Sequence, residues 1–439
     1  MRGRKRRSRR NTSCLSWLGS TNRLPSSRGI IRRGRTSGVP NPMHGLCTEK
    51  MTMLIAGGIY AERCRFPRWN QLYGSGLRSA VALSSVTINV ELHAYAAEPW
   101  HNDIVATLDS FGIARQLTQI EKGVTFDYLH PFELAACTEP TEAAQRLEVE
   151  GQSVLRFGLI EGDARVSGNR VVYDPQSPKP APFAANGSEA ENLALILTER
   201  ELFSLAGLQC DEDDRSSSLR EAITELFDTK PRGEFLLLLK DRLGGARLYT
   251  SDDNPLRIPP VAAESYFRIG SGDVFAAAFA HAWAEEKSSP MNAAEYAAQC
   301  VAYFVDGPRL PLPPKDRLPK ATPGMPQAGV VRLLGQGMLE FETLLLHTAD
   351  WIVELGGKAT VDLFGDFTGG TEDTTSFLIL VGPRWDQDMI GRYSEITSGL
   401  PTVVYWPDAP GGVQNILPNA HITTDYTTAL YLTLRGFDQ

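Results

Sequence analysis

The residues Gly270-Ser271-Gly272-Asp273 run straight into Val274, Phe275, Ala278, Phe279, Ala282 and Trp283, whose i, i+4 rows make one apolar helix face. The glycines therefore stand at a helix N-terminus. There, backbone N–H groups without partners and the positive end of the helix dipole can hold an anion as charge moves onto its oxygens, and residues without side chains let the backbone come close. Asp273 falls in the first turn and faces the same spot, where a carboxylate can accept the proton of an attacking hydroxyl. For these four residues taken alone, a loop-to-helix junction with Asp273 as an ordinary N-terminal cap is the stronger reading. The elements around them decide between the two.

Those elements alternate. Val86, Ile88, Val90 and Leu92 interleave with Thr87, Asn89 and Glu91 at the period of a half-buried strand. Apolar runs at 193–197 and 235–239 are strand-like, and 199–206 is helix-like, so a mostly parallel α/β sheet with helices on both faces is expected. Between 307 and 329 the chain carries Pro308, Pro311, Pro313, Pro314, Pro319, Pro323 and Pro326. That density stiffens it toward polyproline II and reads as an interdomain linker, 308–327. It separates a first domain, 51–307, from a second, 328–439. In the second, 329–334, 377–381 and 402–406 look like strands around the amphipathic run 339–355, which is again α/β and smaller.

Charge divides the chain further. Residues 1–50 hold 13 Lys and Arg against one acid, Glu49; of the 44 basic and 52 acidic residues overall this leaves 31 and 51, a body of −20 behind a head of +12. So acidic a body has no general attraction to nucleic acid or anionic membrane, and small-molecule chemistry is the expected business. The head shows no apolar period and is expected to be disordered. It reads as a transit peptide, a nucleic-acid tail, or sequence upstream of a true start at Met51 or Met53. With no apolar run near the roughly 20 residues that span a bilayer, a soluble, cytoplasmic protein is expected. Cys14, Cys47, Cys64, Cys137, Cys210 and Cys300 are scattered without Cys-x-x-Cys, and the seven histidines are isolated, so structural thiols and no zinc site are expected.

From about 53 to 307 the order of segments resembles the ribokinase (PfkB) family of carbohydrate and nucleoside kinases. Gly57-Gly-Ile-Tyr-Ala-Glu62 resembles its first strand and following acid, which implies that Glu62 binds substrate hydroxyls. Tyr73-Gly-Ser-Gly-Leu-Arg-Ser-Ala-Val-Ala82 resembles its substrate-side turn, implicating Gly74 and Gly76. Lys122-Gly-Val-Thr-Phe-Asp127 sits where the family has lid strands, and Val172-Tyr-Asp-Pro175 resembles its mid-sheet strand. Residues 240–246 resemble the stretch beside its nucleotide, which implies ATP contacts from Lys240 and Gly245. The resemblance makes Gly270, Ser271 and Gly272 the anion hole and Asp273 the base, with ATP and Mg2+ as cofactors and Glu201 linked indirectly to the metal. Two positions depart from the pattern. Phe267-Arg268-Ile269 stands for the family's Asp-Thr-Thr, and Thr198-Glu-Arg-Glu201 for its Asn-x-x-Glu.

Trp385-Asp-Gln-Asp-Met-Ile-Gly-Arg-Tyr-Ser-Glu395, with the strand-like stretch that follows Gly399, resembles the Gly-x-x-x-Glu segment of nucleoside 2-deoxyribosyltransferases, and Val331-Arg-Leu-Leu-Gly-Gln336 their first strand and turn. This implies a flavodoxin-like fold with Glu395 as nucleophile at an anomeric carbon, and Asp386 or Asp388 binding sugar hydroxyls or protonating the leaving base. An exposed helix Glu is the other reading. The expectation is therefore an ATP-dependent kinase of a sugar or nucleoside hydroxyl, joined to a domain that cleaves or exchanges N-glycosidic bonds. The alternative is a non-catalytic nucleoside or sugar-phosphate sensor regulating that domain. Both resembled families imply a homo-oligomer.

Overall fold

The computed structural model describes residues 52–138, 143–211, 213–228, 233–241, 245–251, 254–320, 329–335, 339–363, 373–382, 399–409 and 419–435, together with Gly391, Tyr393, Glu395 and Thr397. The basic head, Cys14, Cys47, Met51, Asp386 and Asp388 lie outside the described residues. Residues 49–439 form one compact unit.

The chain opens with β1 (Met53–Ala56), the hairpin β2 (Ala61–Cys64) and β3 (Trp69–Leu72), and α1 (Gly74–Leu83). There follow β4 (Val90–Ala97), α2 (His101–Ser110), β5 (Ala114–Ile120), β6 (Thr125–Tyr128) and β7 (Ala136–Cys137). Next come β8 (Leu147–Phe157), β9 (Ala164–Asp174), β10 (Glu189–Thr198), α3 (Glu199–Ala206) and α4 (Arg215–Asp228). This part closes with β11 (Phe235–Asp241), β12 (Gly245–Tyr249), β13 (Leu256–Ile258), α5 (Ser271–Ala280) and α6 (Pro290–Val305).

Nine of these strands make one sheet in the order β13-β12-β11-β10-β9-β8-β1-β4-β5. It is parallel except at β11–β12–β13, with Ile55 opposite Leu92 on one side and Leu155 on the other. Central parallel strands are covered on both faces and read as continuous apolar runs, as 193–197 and 235–239 do. The same rule explains why the alternation of 86–92 misleads. The strand starts only at Val90 and is buried on both faces, while 84–88 is a turn that leaves Ile88 81% exposed. Helix α5 is buried on every side, which fits its run of Val, Phe and Ala. The segment expected to hold lid strands supplies β6 of a separate four-stranded sheet, β3-β2-β6-β7.

The described part of the proline-rich stretch is pinned to the first part at Leu312 and Leu318, while 314–317 are exposed. Leu312 is fully buried, its N–H donates to the Ala82 carbonyl at 3.0 Å, and the Ser85 hydroxyl donates to the Leu312 carbonyl.

The C-terminal part comprises β14 (Val330–Gly335), α7 (Leu339–Glu354), β15 (Lys358–Leu363), β16 (Ser376–Leu380), β17 (Thr402–Tyr405), β18 (Ala420–Thr423) and α8 (Tyr426–Arg435). Its strands are all parallel, in the order β15-β14-β16-β17-β18. That is the doubly wound order of a flavodoxin-like sheet, 2-1-3-4-5. The architecture is α/β throughout: a large, mostly parallel sheet and a second, smaller parallel one. No helix among the described residues is long and apolar enough to cross a membrane.

Candidate active site

In open α/β sheets ligands bind outside the carboxyl ends of the strands. Here those ends line a cleft of about 1670 Å³, to which β9 brings Tyr173, β10 Thr198 and β11 Lys240 and Asp241. Single small-molecule pockets measure roughly 300–1,000 Å³, so the cleft has room for two ligands side by side.

At its floor Gly270 turns the chain into α5 with φ +84°, a conformation that L side chains rarely adopt, and a Cβ there would sit 2.1 Å from Arg78 Nε. Asp273 follows in the first turn with its side chain 10% exposed. It does not cap its own helix. Arg78 Nη1 donates to its Oδ2 at 2.5 Å and Gln176 Nε2 to its Oδ1 at 2.6 Å. Gln176 is held at φ +47°, a strained position for a residue with a side chain. Burial pushes the Asp273 carboxyl above its usual range, against the pull of Arg78 and Gln176. The ordinary-cap reading of Asp273 is therefore excluded by its partners.

Arg78 lies in the middle of α1, a helix buried along its whole length. Its second amino group donates to Glu62 Oε2, so one guanidinium with a 2% exposed side chain bridges the two carboxylates. Glu62 also accepts from Trp69 Nε1 at 3.2 Å and from the Gly74 N–H at 3.1 Å. Three donors take up most of what a carboxylate can accept. Glu62 thus anchors Arg78 and the start of α1, and both Glu62 and Gly74 line the cleft. Gly76 plays a different part: a Cβ on it would meet the Gly57 carbonyl oxygen at 2.5 Å, so α1 and the end of β1 approach backbone to backbone.

Toward the other end Lys240 Nζ donates to both oxygens of Asp174 at 3.1 Å. Asp174 is completely buried, and burial, with Glu201 and Asp273 nearby, raises its carboxyl to about 7 despite Lys240. Lys240 is itself raised: burial lowers it, but Asp174 and Glu201 outweigh burial. Glu201 is the N3 residue of a capping box on α3. Its Oε2 accepts from the Thr198 N–H at 2.7 Å and hydroxyl at 2.8 Å, and its Oε1 from the Ser177 N–H at 3.0 Å. Any influence it has on a metal passes through those neighbours. No group of three His, Cys, Asp or Glu side chains able to hold a metal occurs among the described residues. Gly245 and the apolar residues Ile258, Pro259, Val261, Ala298 and Val301 line the same end of the cleft.

Residues 267 and 268 have packing roles of their own. Phe267 is 7% exposed and packs on Trp69 and Phe304, with ring centroids at 4.8 and 6.3 Å. Arg268 lies over the Phe132 ring at 4.8 Å and donates to Tyr431 Oη on α8 at 2.7 Å. Glu395 stands exposed on a helical turn with Tyr393 buried two residues before it, and it does not line this cleft. The switch point of the smaller sheet lies between β14 and β16, where residues 336–338 and 383–390 fall outside the described residues. The thiols of Cys64 and Cys300 are buried and held up at about 12, which suits packing and not nucleophilic chemistry.

No family model and no curated protein matches the chain. Solved structures do. A pyrophosphate-dependent kinase in the ribokinase family, complexed with a pyrophosphate analog and myo-inositol, is 16% identical, with a TM-score of 0.40 over 61% of this chain and 98% of that one. Ribokinase from Cryptococcus neoformans var. grubii, in complex with ADP, is 15% identical, with a TM-score of 0.42 over 58% and 94%. Phosphofructokinase-2 from Escherichia coli is 14% identical, with a TM-score of 0.43 over 60% and 95%.

Sequence reasoning did not single out Arg78, Gln176 or Asp174. The signal for Arg78 was available, as a lone charge inside an otherwise apolar or small helix, Leu77-Arg78-Ser79-Ala80-Val81. Charged residues are almost never fully buried without a partner. Gln176 carries no such mark, since only the fold brings it to Asp273.

Proposed function

We propose that the chain transfers a phosphoryl group to a hydroxyl of a sugar or nucleoside in the cleft above α5. The placement of Asp273 carries the reading: a buried carboxylate in the first turn after Gly270, bonded sideways to Arg78 and Gln176 and opening on a cleft large enough for two ligands. Asp273 takes the hydroxyl proton as the oxygen attacks. The backbone N–H groups of Gly272 and Asp273 hold the charge that develops on the transferred group, the Ser271 N–H being taken by the Arg268 carbonyl at 3.0 Å. Gln176 and Arg78 fix the carboxylate in one orientation. Lys240 places a positive charge at the nucleotide end, and the apolar slot of Ile258, Val261 and Val301 suits a flat base. ATP with Mg2+ would supply the phosphoryl group, the ion being held chiefly by the phosphates themselves.

A second reading has its own observation. Arg78 and Gln176 engage both oxygens of Asp273, as a non-catalytic sensor of a nucleoside or sugar phosphate would allow. For the C-terminal part we propose cleavage or exchange of N-glycosidic bonds with Glu395 as nucleophile, supported by the flavodoxin-like strand order and the Gly391-to-Glu395 spacing.

The test is a panel of sugars and nucleosides incubated with the purified chain, with and without ATP and Mg2+, followed by mass spectrometry. Phosphorylated product is expected, with a loss of about 10³-fold in Asp273→Asn. Product at the unmodified rate in that variant removes Asp273 from the role, and binding without product anywhere on the panel favours the sensor. Free base released equally by Glu395→Ala removes the glycosidic assignment.

A further inference from the structure

Two walls of the cleft end on the same C-terminal helix. The small sheet carries Glu62, Phe126 and Tyr128 into the cleft. The loops that leave it are set in the core of the C-terminal part. Phe66, between β2 and β3, is 5% exposed with its ring 6.2 Å from that of Tyr405. Phe132, just after β6, packs on Trp351 at 5.1 Å and Tyr431 at 5.7 Å. Between them His130 is fully buried and meets His347 at 3.2 Å.

The other wall is the segment that leads into Gly270. The Tyr266 N–H donates to Thr428 Oγ1 at 2.8 Å, and Arg435 lies over the Tyr266 ring at 4.9 Å. Arg268 touches both systems at once, with its face on Phe132 of the small-sheet loop and its Nη1 on Tyr431 of α8, two residues before the anion loop.

We infer that Arg268 is a positioning residue that couples three things: the small sheet, the Gly270 loop and α8. Occupancy of the cleft and the state of the C-terminal part are then linked in both directions, because a displacement of α8 moves both walls and a ligand that fixes the walls fixes α8. The coupling free energy is reciprocal by thermodynamic necessity. Thr428, Tyr431 and Arg435 are spaced along one helix face at i, i+3 and i+7, so α8 moves them as a rigid row. The inference rests on the kinase reading only for the identity of the cleft ligand.

Hydrogen exchange on the full chain, read by mass spectrometry, tests it without turnover. In the ligand-free protein, Arg268→Met keeps the packing volume and removes the charge and the hydrogen bond. It is expected to speed exchange at 129–133 and at 426–431 together, on the order of tenfold, while β8 and β9 keep their rates. Arg268→Lys restores part of the protection. Acceleration confined to 266–269, or spread equally to β8 and β9, overturns the inference. With Mg2+ and a non-hydrolysable ATP analogue, slower exchange at 426–431 is expected in the unmodified chain and not in Arg268→Met. Protection of 270–273 with α8 unaffected in the unmodified chain also overturns it. If the analogue protects nothing, yet Arg268→Met still loosens the small-sheet loop and α8 together, the kinase reading falls and the coupling stands.

Discussion

At the carboxyl ends of the nine-stranded sheet, Glu62, Arg78 and Asp273 are buried as one charged cluster, and Asp174 with Lys240 as another. In the C-terminal part the carboxylate put forward for chemistry, Glu395, stands in solvent, and the buried guanidinium of Arg332 is spent on holding β14 to β15 through Asp362 at 3.2 Å, beside neutral contacts such as Thr348 with Tyr426 at 2.7 Å. Removing an ion from water costs several kcal/mol even after relaxation. A fold retains that cost only where partners are already positioned to offset it. The contrast places preorganised electrostatics at the first cleft, whereas Glu395 can acquire a comparable environment only from a ligand or from residues beyond those described.

Arg78 carries the largest expected effect in the first cleft. Replacing it in Arg78→Met strands two buried carboxylates and should cost about 3–5 kcal/mol in urea unfolding. Adding Glu62→Gln and Asp273→Asn should recover most of that. A single variant that loses almost nothing would mean the cluster is as dispensable as a surface pair. Asp174 gives the next largest effect. Its folded carboxyl is raised to about 7, so between the ordinary carboxylate value and 7 the folded state holds a proton that the unfolded chain has released. Stability is therefore full at acid pH and declines as pH rises through 7, by at most about 1.4 kcal/mol per pH unit. Asp174→Asn should flatten that slope, and an unchanged profile would assign the pH dependence elsewhere. The smallest effect belongs to Glu395→Ala, within about 0.5 kcal/mol of the unmodified stability. A large loss there would erase the difference between the two regions.

Much of the frame was legible. The apolar face after Gly270 is α5, the helix-like run 199–206 is α3, and the amphipathic run 339–355 is α7. These are local signals, set by spacing within one or two turns. The misreading of 86–92 came from a pattern that a turn and a doubly buried strand imitate between them. β15, Lys358-Ala-Thr-Val-Asp-Leu363, escaped because an edge strand needs no continuous apolar run. The site itself was half legible. Asp273 and the glycines follow from a helix N-terminus, but the bridge from Glu62 through Arg78 to Asp273 spans 195 residues between its last two members, and no local spacing encodes it. Residues 267–269, which in sequence only mark a departure from the resembled pattern, are in the fold a docking contact for α8 through Arg268.

That docking contact bears on how the protein can be handled. Phe66 and Phe132 belong to loops of the first part but are covered by Tyr405, Trp351 and Tyr431 of the last. A chain truncated at residue 320 would present both rings to water, an apolar patch that favours aggregation over behaviour as a detachable module. The two parts are therefore best produced and purified as one piece.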